Sequence, residues 1–150
     1  MNRRVLLMGR SGCGKTSLII RIHEKTGVEQ SLSIANKTQA AEYHSDFIDV
    51  PGEYLEVRSF YRALIMLTCE ACAIALLQSA DDEESLYPTG LARTFDKPVV
   101  GVVTKTDIEG SDPERAEEIL RDAGATHVFY TSALKNEGFN GLTQHLEGLR

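Results

Sequence analysis

The chain contains little cysteine, no excess of basic residues and no long apolar segment. Its three cysteines are an odd number, and Cys13 lies in a glycine-rich segment, so a disulfide framework is not expected and a reducing cytoplasm is the expected compartment. No signal-peptide pattern precedes them, which supports the same expectation. A net charge of −6 argues against a general binder of nucleic acids or of anionic membranes. The apolar run at residues 71–77 is far too short to span a bilayer.

The remaining composition is that of a globular protein, with 42% hydrophobic and 25% charged residues. Internal repeats and low-complexity linkers are absent, and we expect a single domain over residues 1–150. The C-x-x-C pair Cys69 and Cys72 lies where a helical pattern ends, and no second Cys or His pair has metal-ligand spacing, so buried structural cysteines are expected. Solvent exposure without a partner is expected for the histidines His23, His44, His127 and His145.

A glycine-rich segment at residues 9–16, GRSGCGKT, fits the phosphate-binding pattern G-x-x-x-x-G-K-[ST] at every fixed position. Its glycines let successive backbone N–H groups point at phosphate oxygens, and a helix begins there with its positive dipole end. Lys15 is expected to reach the outer phosphates, and the Thr16 hydroxyl to ligate Mg²⁺. The sequence therefore predicts a nucleoside triphosphate site. The expected contacts in this segment come from Gly12, Cys13, Gly14, Lys15, Thr16 and Ser17.

Strands and helices alternate along the chain. Strands are predicted at residues 4–8, 37–43, 46–49, 71–78, 99–103 and 128–130. A helix is predicted to open at residues 17–22, and others are predicted at residues 58–69, within residues 89–95, at residues 112–123 and in a last segment that ends near Arg150. This order predicts an α/β fold with a parallel sheet, one hairpin and helices on both faces. Residues 26–33 read as a mobile loop, and a solvated state is expected for the acidic turn at residues 81–84 and for Arg10.

Polar motifs follow several of these strands, and ligands of such sheets bind beyond the carboxyl ends of the strands. The motifs are Asp49-Val50-Pro51-Gly52, Thr104-Lys105-Thr106-Asp107 and Thr131-Ser132-Ala133-Leu134. Together with the phosphate-binding loop, their order resembles the small GTPase superfamily of P-loop proteins over nearly the whole chain. The resemblance implies a Ras-like three-layer fold with a six-stranded, mostly parallel sheet and an antiparallel edge hairpin.

The same resemblance implies roles for individual residues. Thr38 and Asp49 would join Thr16 around Mg²⁺, with Asp49 acting through water, and the Gly52 N–H would contact the terminal phosphate. Lys105 would lie against the base, and Asp107 would accept hydrogen bonds from guanine, which offers two neighbouring N–H donors where adenine does not. Asp107 as a simple helix or turn cap remains the alternative. The backbone around Ser132 and Ala133 would bind the guanine carbonyl oxygen, and Thr104 and Leu134 would be further nucleotide-binding residues.

A closer resemblance is to the ethanolamine- and propanediol-utilisation P-loop proteins, the EutP/PduV family. The residues that carry it are Gly9 with Ser11 to Leu18, Lys37-Thr38-Gln39-Ala40, Asp49 with Pro51 to Glu56, and Cys69-Glu70-Ala71. This resemblance implies a link to a bacterial microcompartment, with shell or enzyme proteins as partners. It also implies ATP-dependent acetate kinase activity, with acetate as a ligand, as an alternative to GTP hydrolysis.

The catalytic candidates are Lys15, Thr38 and Glu53. Glu53 occupies the position at which regulatory GTPases carry the glutamine that orients water, and a carboxylate facing a triphosphate is repelled, so slow hydrolysis is expected. A slow, Mg²⁺-dependent GTPase is the expected function. Two alternatives remain open: the acetate kinase, and a non-catalytic adaptor whose nucleotide sets the conformation of residues 29–38 and 52–58.

Overall fold

A computed structural model describes residues 3–27 and 41–150 of the chain. The strands and helices are β1 Val5–Met8, α1 Lys15–Thr26, β2 Glu42–Tyr43, β3 Phe47–Asp49, α2 Glu53–Glu56, α3 Tyr61–Thr68, β4 Ala73–Ser79, β5 Val99–Thr104, α4 Pro113–Asp122, β6 His127–Tyr130 and α5 Phe139–Leu149. Short 3₁₀ turns lie at Arg58–Phe60 and Leu91–Thr94. Thr38, residues 29–38 and most of the strand predicted at residues 37–43 lie outside the described residues.

The sheet has six strands in the order β2-β3-β1-β4-β5-β6. Every neighbouring pair is parallel except β2 and β3, which form the antiparallel edge hairpin. Because β3 and β4 flank β1 on opposite sides, the loop that follows β1 opens at the point where the strand order reverses, and ligands of such sheets bind there. The predicted α/β fold is confirmed, with its mostly parallel six-stranded sheet and edge hairpin.

Helices cover both faces of the sheet. On one face α1 and α5 bury Leu18, Ile22, Phe139 and Leu142 against Leu7 and Val102, together with other members of the same cluster. On the other face α3 and α4 bury Leu64, Ile119 and Leu120 against Leu6 and Leu76. All seven residues of β4 are buried, as continuous apolar strands are when a parallel sheet is covered on both sides.

Two predicted helices differ from the structure. Residues 89–95 form only one 3₁₀ turn, because Gly90 adopts a left-handed φ of 74° and the N–H groups of Gly90 and Ala92 donate to carbonyls at the end of α4, each at 2.8 Å. The helix predicted at residues 58–69 is preceded by α2, and an extended residue at Val57 separates the two. The rings of Tyr54 and Phe60 stack at 5.1 Å across this bend.

The exposure predicted for the cysteines and histidines was partly wrong. Cys69 is exposed and Cys72 half-buried, because they flank the turn between α3 and β4 rather than a strand interior. His23 is buried on α1, where its Nε2 lies 2.7 Å from Asp46 Oδ1, a contact that only the tertiary fold creates. The rings of His127 and His145 lie against each other with centroids 4.6 Å apart.

The described residues contain neither a membrane-spanning helix nor a cluster of acidic, histidine and cysteine side chains. Within residues 3–27 and 41–150, none of the helices has the length and apolar character needed to cross a membrane. In the same ranges, no three His, Cys, Asp or Glu side chains cluster as a metal-binding group.

Candidate functional site

The phosphate-binding loop connects β1 to α1 and has the backbone geometry that an anion requires. Gly12 and Gly14 have φ values of 81° and 104°, a conformation that side chains rarely adopt. No described side chain caps the N-terminus of α1, and its first turn contains no acidic residue. The N–H groups of that turn are thus available to an anion, and the helix dipole favours negative charge there.

Lys15 lies inside this loop rather than in solvent. Its side chain is 8% exposed, and its ammonium donates hydrogen bonds to the carbonyls of Gly9 at 2.9 Å and Arg10 at 3.3 Å. The Cys13 sulfur lies 3.8 Å from the same Nζ, and burial raises the pKa of that thiol. The positive charge is therefore held within the loop before any ligand binds.

The motif that follows β5 contacts the same loop. Thr104 Oγ1 donates to the Cys13 carbonyl at 2.6 Å, and Lys105 Nζ donates to the Gly12 carbonyl at 2.7 Å. Lys105 itself adopts a left-handed φ of 58°, which is uncommon for a residue with a side chain. These two bonds position the phosphate-binding loop and the motif after β5 relative to each other.

Gly52 brings the motif after β3 to the loop as well. An ideal Cβ at this position would lie 2.5 Å from the Ser11 nitrogen and 2.7 Å from Ser11 Oγ. Only glycine allows the two backbones to approach this closely. Glu53, the next residue, is the first residue of α2 and is half-buried.

Asp49 is the last residue of β3, in register with Leu7 of β1. Burial raises the pKa of its carboxyl to about 6, although the nearby Lys15 ammonium lowers it. Thr16 presents an exposed hydroxyl at the first turn of α1. Carboxylate and hydroxyl oxygens are the donors that Mg²⁺ prefers, so the chemistry of Asp49 and Thr16 fits that ion. The third predicted ligand, Thr38, lies outside the described residues.

The two motifs at the other end of the site also meet. Asp107 Oδ1 accepts a hydrogen bond of 2.7 Å from Ser132 Oγ, and Ser132 Oγ in turn accepts the Lys135 N–H at 3.1 Å. The Ser132 hydroxyl thus orients the Asp107 carboxylate. Leu134 is 80% exposed, beside the predicted position of the base.

Several residues around the loop were missed or misjudged by the sequence analysis. Arg10 and Asp82, both expected to be solvated, form an ion pair of 2.9 Å. The backbone of this acidic turn is held by Gln78, whose amide donates to the Asp82 carbonyl at 2.8 Å. Buried Tyr87 donates to the Leu77 carbonyl at 2.5 Å, directly beneath the loop. None of these pairs has a spacing in the sequence that could have predicted it.

Comparison with known proteins agrees with this arrangement. The chain matches the PduV-EutP family, described as ethanolamine utilisation and propanediol utilisation, over residues 2–148. It is 42% identical over 139 residues to the propanediol utilization protein PduV of Citrobacter freundii, covering 91% of this chain and 87% of that protein. It is 33% identical over 125 residues to the probable acetate kinase EutP of Salmonella typhimurium, covering 81% and 74%.

A more distant similarity points to GTP-binding proteins. The chain is 30% identical over 139 residues to the probable GTP-binding protein EngB of Latilactobacillus sakei, covering 79% of this chain and 69% of that protein. The similarity fits the P-loop superfamily and the sheet order described above.

Proposed function

This chain belongs to the PduV-EutP family, and we propose that it binds a nucleoside triphosphate with Mg²⁺, prefers GTP and hydrolyses it slowly in the utilisation of ethanolamine or propanediol. One observation supports this above all others. Residues of two separate motifs contact a single phosphate-binding loop at three points, with Gly52 at Ser11, Thr104 at Cys13 and Lys105 at Gly12. A glycine-rich turn without a ligand would not require all three.

Each residue around the phosphates would have a separate role. Lys15 places its ammonium among the loop carbonyls, where it would exchange those bonds for phosphate oxygens. The N–H groups at the start of α1 would bind the inner phosphates. Thr16 and Asp49 would hold Mg²⁺, which neutralises charge on the outer phosphates when bound. Close packing of Gly52 on Ser11 would bring its N–H to the terminal phosphate.

Base recognition would fall to Asp107 and to the loop after β6. The carboxylate, oriented by Ser132, would accept hydrogen bonds from the two adjacent N–H donors of guanine. Backbone N–H groups at Ala133 and Leu134 would face the guanine carbonyl oxygen, since the Ser132 N–H donates to the Glu137 carbonyl at 3.0 Å. Slow hydrolysis follows from Glu53, because a carboxylate orients an attacking water poorly beside an anionic phosphate.

A second candidate function is phosphoryl transfer to acetate, as the name of the EutP relative suggests. The phosphate-binding residues would be the same, and the acceptor would be a carboxylate instead of water. We further propose that residues 1–150 form one domain, that the protein is cytoplasmic, and that it associates with the shell or enzymes of a microcompartment. A non-catalytic, nucleotide-gated adaptor of that shell would bind nucleotide in the same way.

Competition between nucleotides tests these proposals directly. GTP, ATP and xanthosine triphosphate would be titrated by calorimetry with Mg²⁺, followed by phosphate-release assays with and without acetate. We expect GTP to bind more tightly than ATP and phosphate release to be slow and independent of acetate. Tighter binding of ATP with acetyl phosphate formation would favour the kinase, and binding without turnover would favour the adaptor.

Replacing Asp107 with asparagine should weaken the binding of guanine nucleotides by about 1 to 3 kcal/mol, because an acceptor oxygen becomes a donor that faces the guanine N–H groups. Xanthine nucleotides present a carbonyl to the new amide donor, so their affinity should rise relative to that of guanine nucleotides. The matched control is Asp112→Asn, since Asp112 caps α4 and asparagine caps helices equally well. Unchanged GTP affinity in the Asp107 variant would show that this carboxylate only caps a turn.

A further inference from the structure

Arg21 connects the phosphate end of the site to the base end. It lies on α1, the helix that begins at Lys15, and its Nε donates a hydrogen bond of 2.7 Å to the Ala133 carbonyl. The two residues are separated by 112 positions in the sequence. The guanidinium is held in place from its other side, where Nη1 lies 3.0 Å from Glu24 on the next turn of the helix.

Bonds within the loop, together with the hydrogen bond from Ser132 to Asp107, also stabilise the loop that Arg21 contacts. Ser132 and Glu137 exchange two backbone hydrogen bonds of 3.0 Å, and Asn136 adopts a left-handed φ of 54°. Inside this turn the Asn136 N–H also donates to the Ala133 carbonyl, at 3.3 Å, a longer bond than the 2.7 Å bond from Arg21. Among the described residues, Arg21 is the side chain that fixes this carbonyl from outside the loop.

Because the peptide is planar, the bond from Arg21 to the Ala133 carbonyl also fixes the direction of the neighbouring N–H group. A trans peptide is planar, and its C=O and N–H groups point in opposite directions. The Ala133 carbonyl and the Leu134 N–H belong to the same peptide unit. When Arg21 holds the carbonyl, the Leu134 N–H is turned away from α1, and it becomes a fixed donor for the base.

We propose that Arg21 is a positioning residue for base recognition, which presents the Leu134 N–H to the carbonyl oxygen of a guanine nucleotide. The inference rests on the proposed function and extends it to a residue outside every nucleotide motif. It also couples the two ends of the site, because the helix that orients the base loop is the helix that carries Lys15 and Thr16.

A ligand that has phosphates but no base distinguishes a role of Arg21 in base recognition from a role in the stability of the fold. The affinities of GDP and of inorganic tripolyphosphate, both with Mg²⁺, would be measured by calorimetry for the parent and for Arg21→Ala. Loss of one charge-assisted hydrogen bond to the loop should lower the affinity for GDP about tenfold, while the affinity for tripolyphosphate stays within about twofold of the parent value. Arg21→Lys, which keeps a donor and a positive charge, should recover most of the GDP affinity.

Lys25→Ala is the matched control. Lys25 also lies on α1 and also reaches the last third of the chain, but its Nζ contacts Asn140 Oδ1 at 2.7 Å instead of the base loop. We expect this variant to bind both ligands as the parent does. Should Arg21→Ala fail to fold by circular dichroism, Arg21→Met removes the donor with a smaller change in side-chain volume, and the same loss of GDP affinity relative to Arg21→Lys is expected.

Two outcomes would overturn the inference while leaving the proposed function intact. One is equal weakening of GDP and tripolyphosphate by Arg21→Ala, which would make the contact a support for the whole fold. The other is unchanged GDP affinity. A parent protein that binds tripolyphosphate as tightly as GDP would instead refute base recognition itself, and with it both proposals.

Discussion

Replacement of Lys15 with alanine is expected to lower triphosphate affinity by at least ~100-fold, because two or more charge-assisted hydrogen bonds of about 1.5 to 3 kcal/mol each are lost from the phosphate site. The buried position of Lys15 adds a second expected effect. The Gly9 carbonyl loses the ammonium donor, while the Arg10 carbonyl keeps the Cys13 N–H, so the ligand-free protein should lose about 1 to 3 kcal/mol of stability.

Calorimetry with triphosphate and Mg²⁺ and urea unfolding without ligand would measure the two effects of Lys15→Ala separately. Lys25→Ala removes the same charge from the exposed end of the same helix and should change neither quantity by more than a few tenths of a kcal/mol. Parent-like affinity of the Lys15 variant would refute the assignment of residues 9–16 as the phosphate-binding loop. Collapse of its circular dichroism spectrum would mean that the lysine is needed for folding, and Lys15→Met would then carry the binding test.

The features that the sequence predicted well are those that depend on local pattern. The loop at residues 9–16 combines a fixed spacing with a flanking strand and helix, and the continuous apolar segment of β4 is recognisable without tertiary information. The motifs around Asp49, Lys105 and Ser132 follow strands, and the carboxyl ends of parallel strands meet at one edge. Their order therefore placed them together before any contact was known.

What the sequence could not predict depends on partners that are distant along the chain. The contact between Arg21 and Ala133 and the ion pair between Arg10 and Asp82 have no periodicity or motif. The helix expected at residues 89–95 has adequate local propensity, but the end of α4 takes its backbone N–H groups into tertiary bonds. Local helix propensity is weak, and tertiary hydrogen bonds override it.

Binding sites for phosphate and metal ions can also hold charged side chains at buried positions, where the charge lowers the stability of the ligand-free protein. Asp49 is an acidic side chain at the end of a largely buried strand, beside Lys15 and near Glu42, which further raises its pKa. Burial penalises its ionised form, and only a cation can fully offset that penalty. The ligand-free protein should therefore be less stable with this carboxylate than with a neutral side chain of the same shape.

Asp49→Asn should consequently stabilise the ligand-free protein above pH 6 while removing the Mg²⁺ dependence of triphosphate binding. The folded carboxyl has a pKa of about 6, against 3.8 for its ordinary value. Between those pH values the folded state keeps a proton that the unfolded state releases, so the stability of the parent falls as pH rises through this window. At ~1.4 kcal/mol per pKa unit, reduced by partial solvent exposure, the variant should gain about 1 to 3 kcal/mol at pH 7.5 and almost nothing at pH 4.

Urea unfolding of the ligand-free proteins at several pH values would measure the gain, and titration with GTP at varied Mg²⁺ would measure the loss. Asp96→Asn, at an exposed aspartate, serves as the control and should follow the parent in both experiments. A stability difference that is the same at pH 4 and pH 7.5 would show that the buried charge is not its cause. A variant that gains stability yet retains full Mg²⁺ dependence would place the metal on other ligands, so the two measurements together separate the electrostatics of the fold from the chemistry of the site.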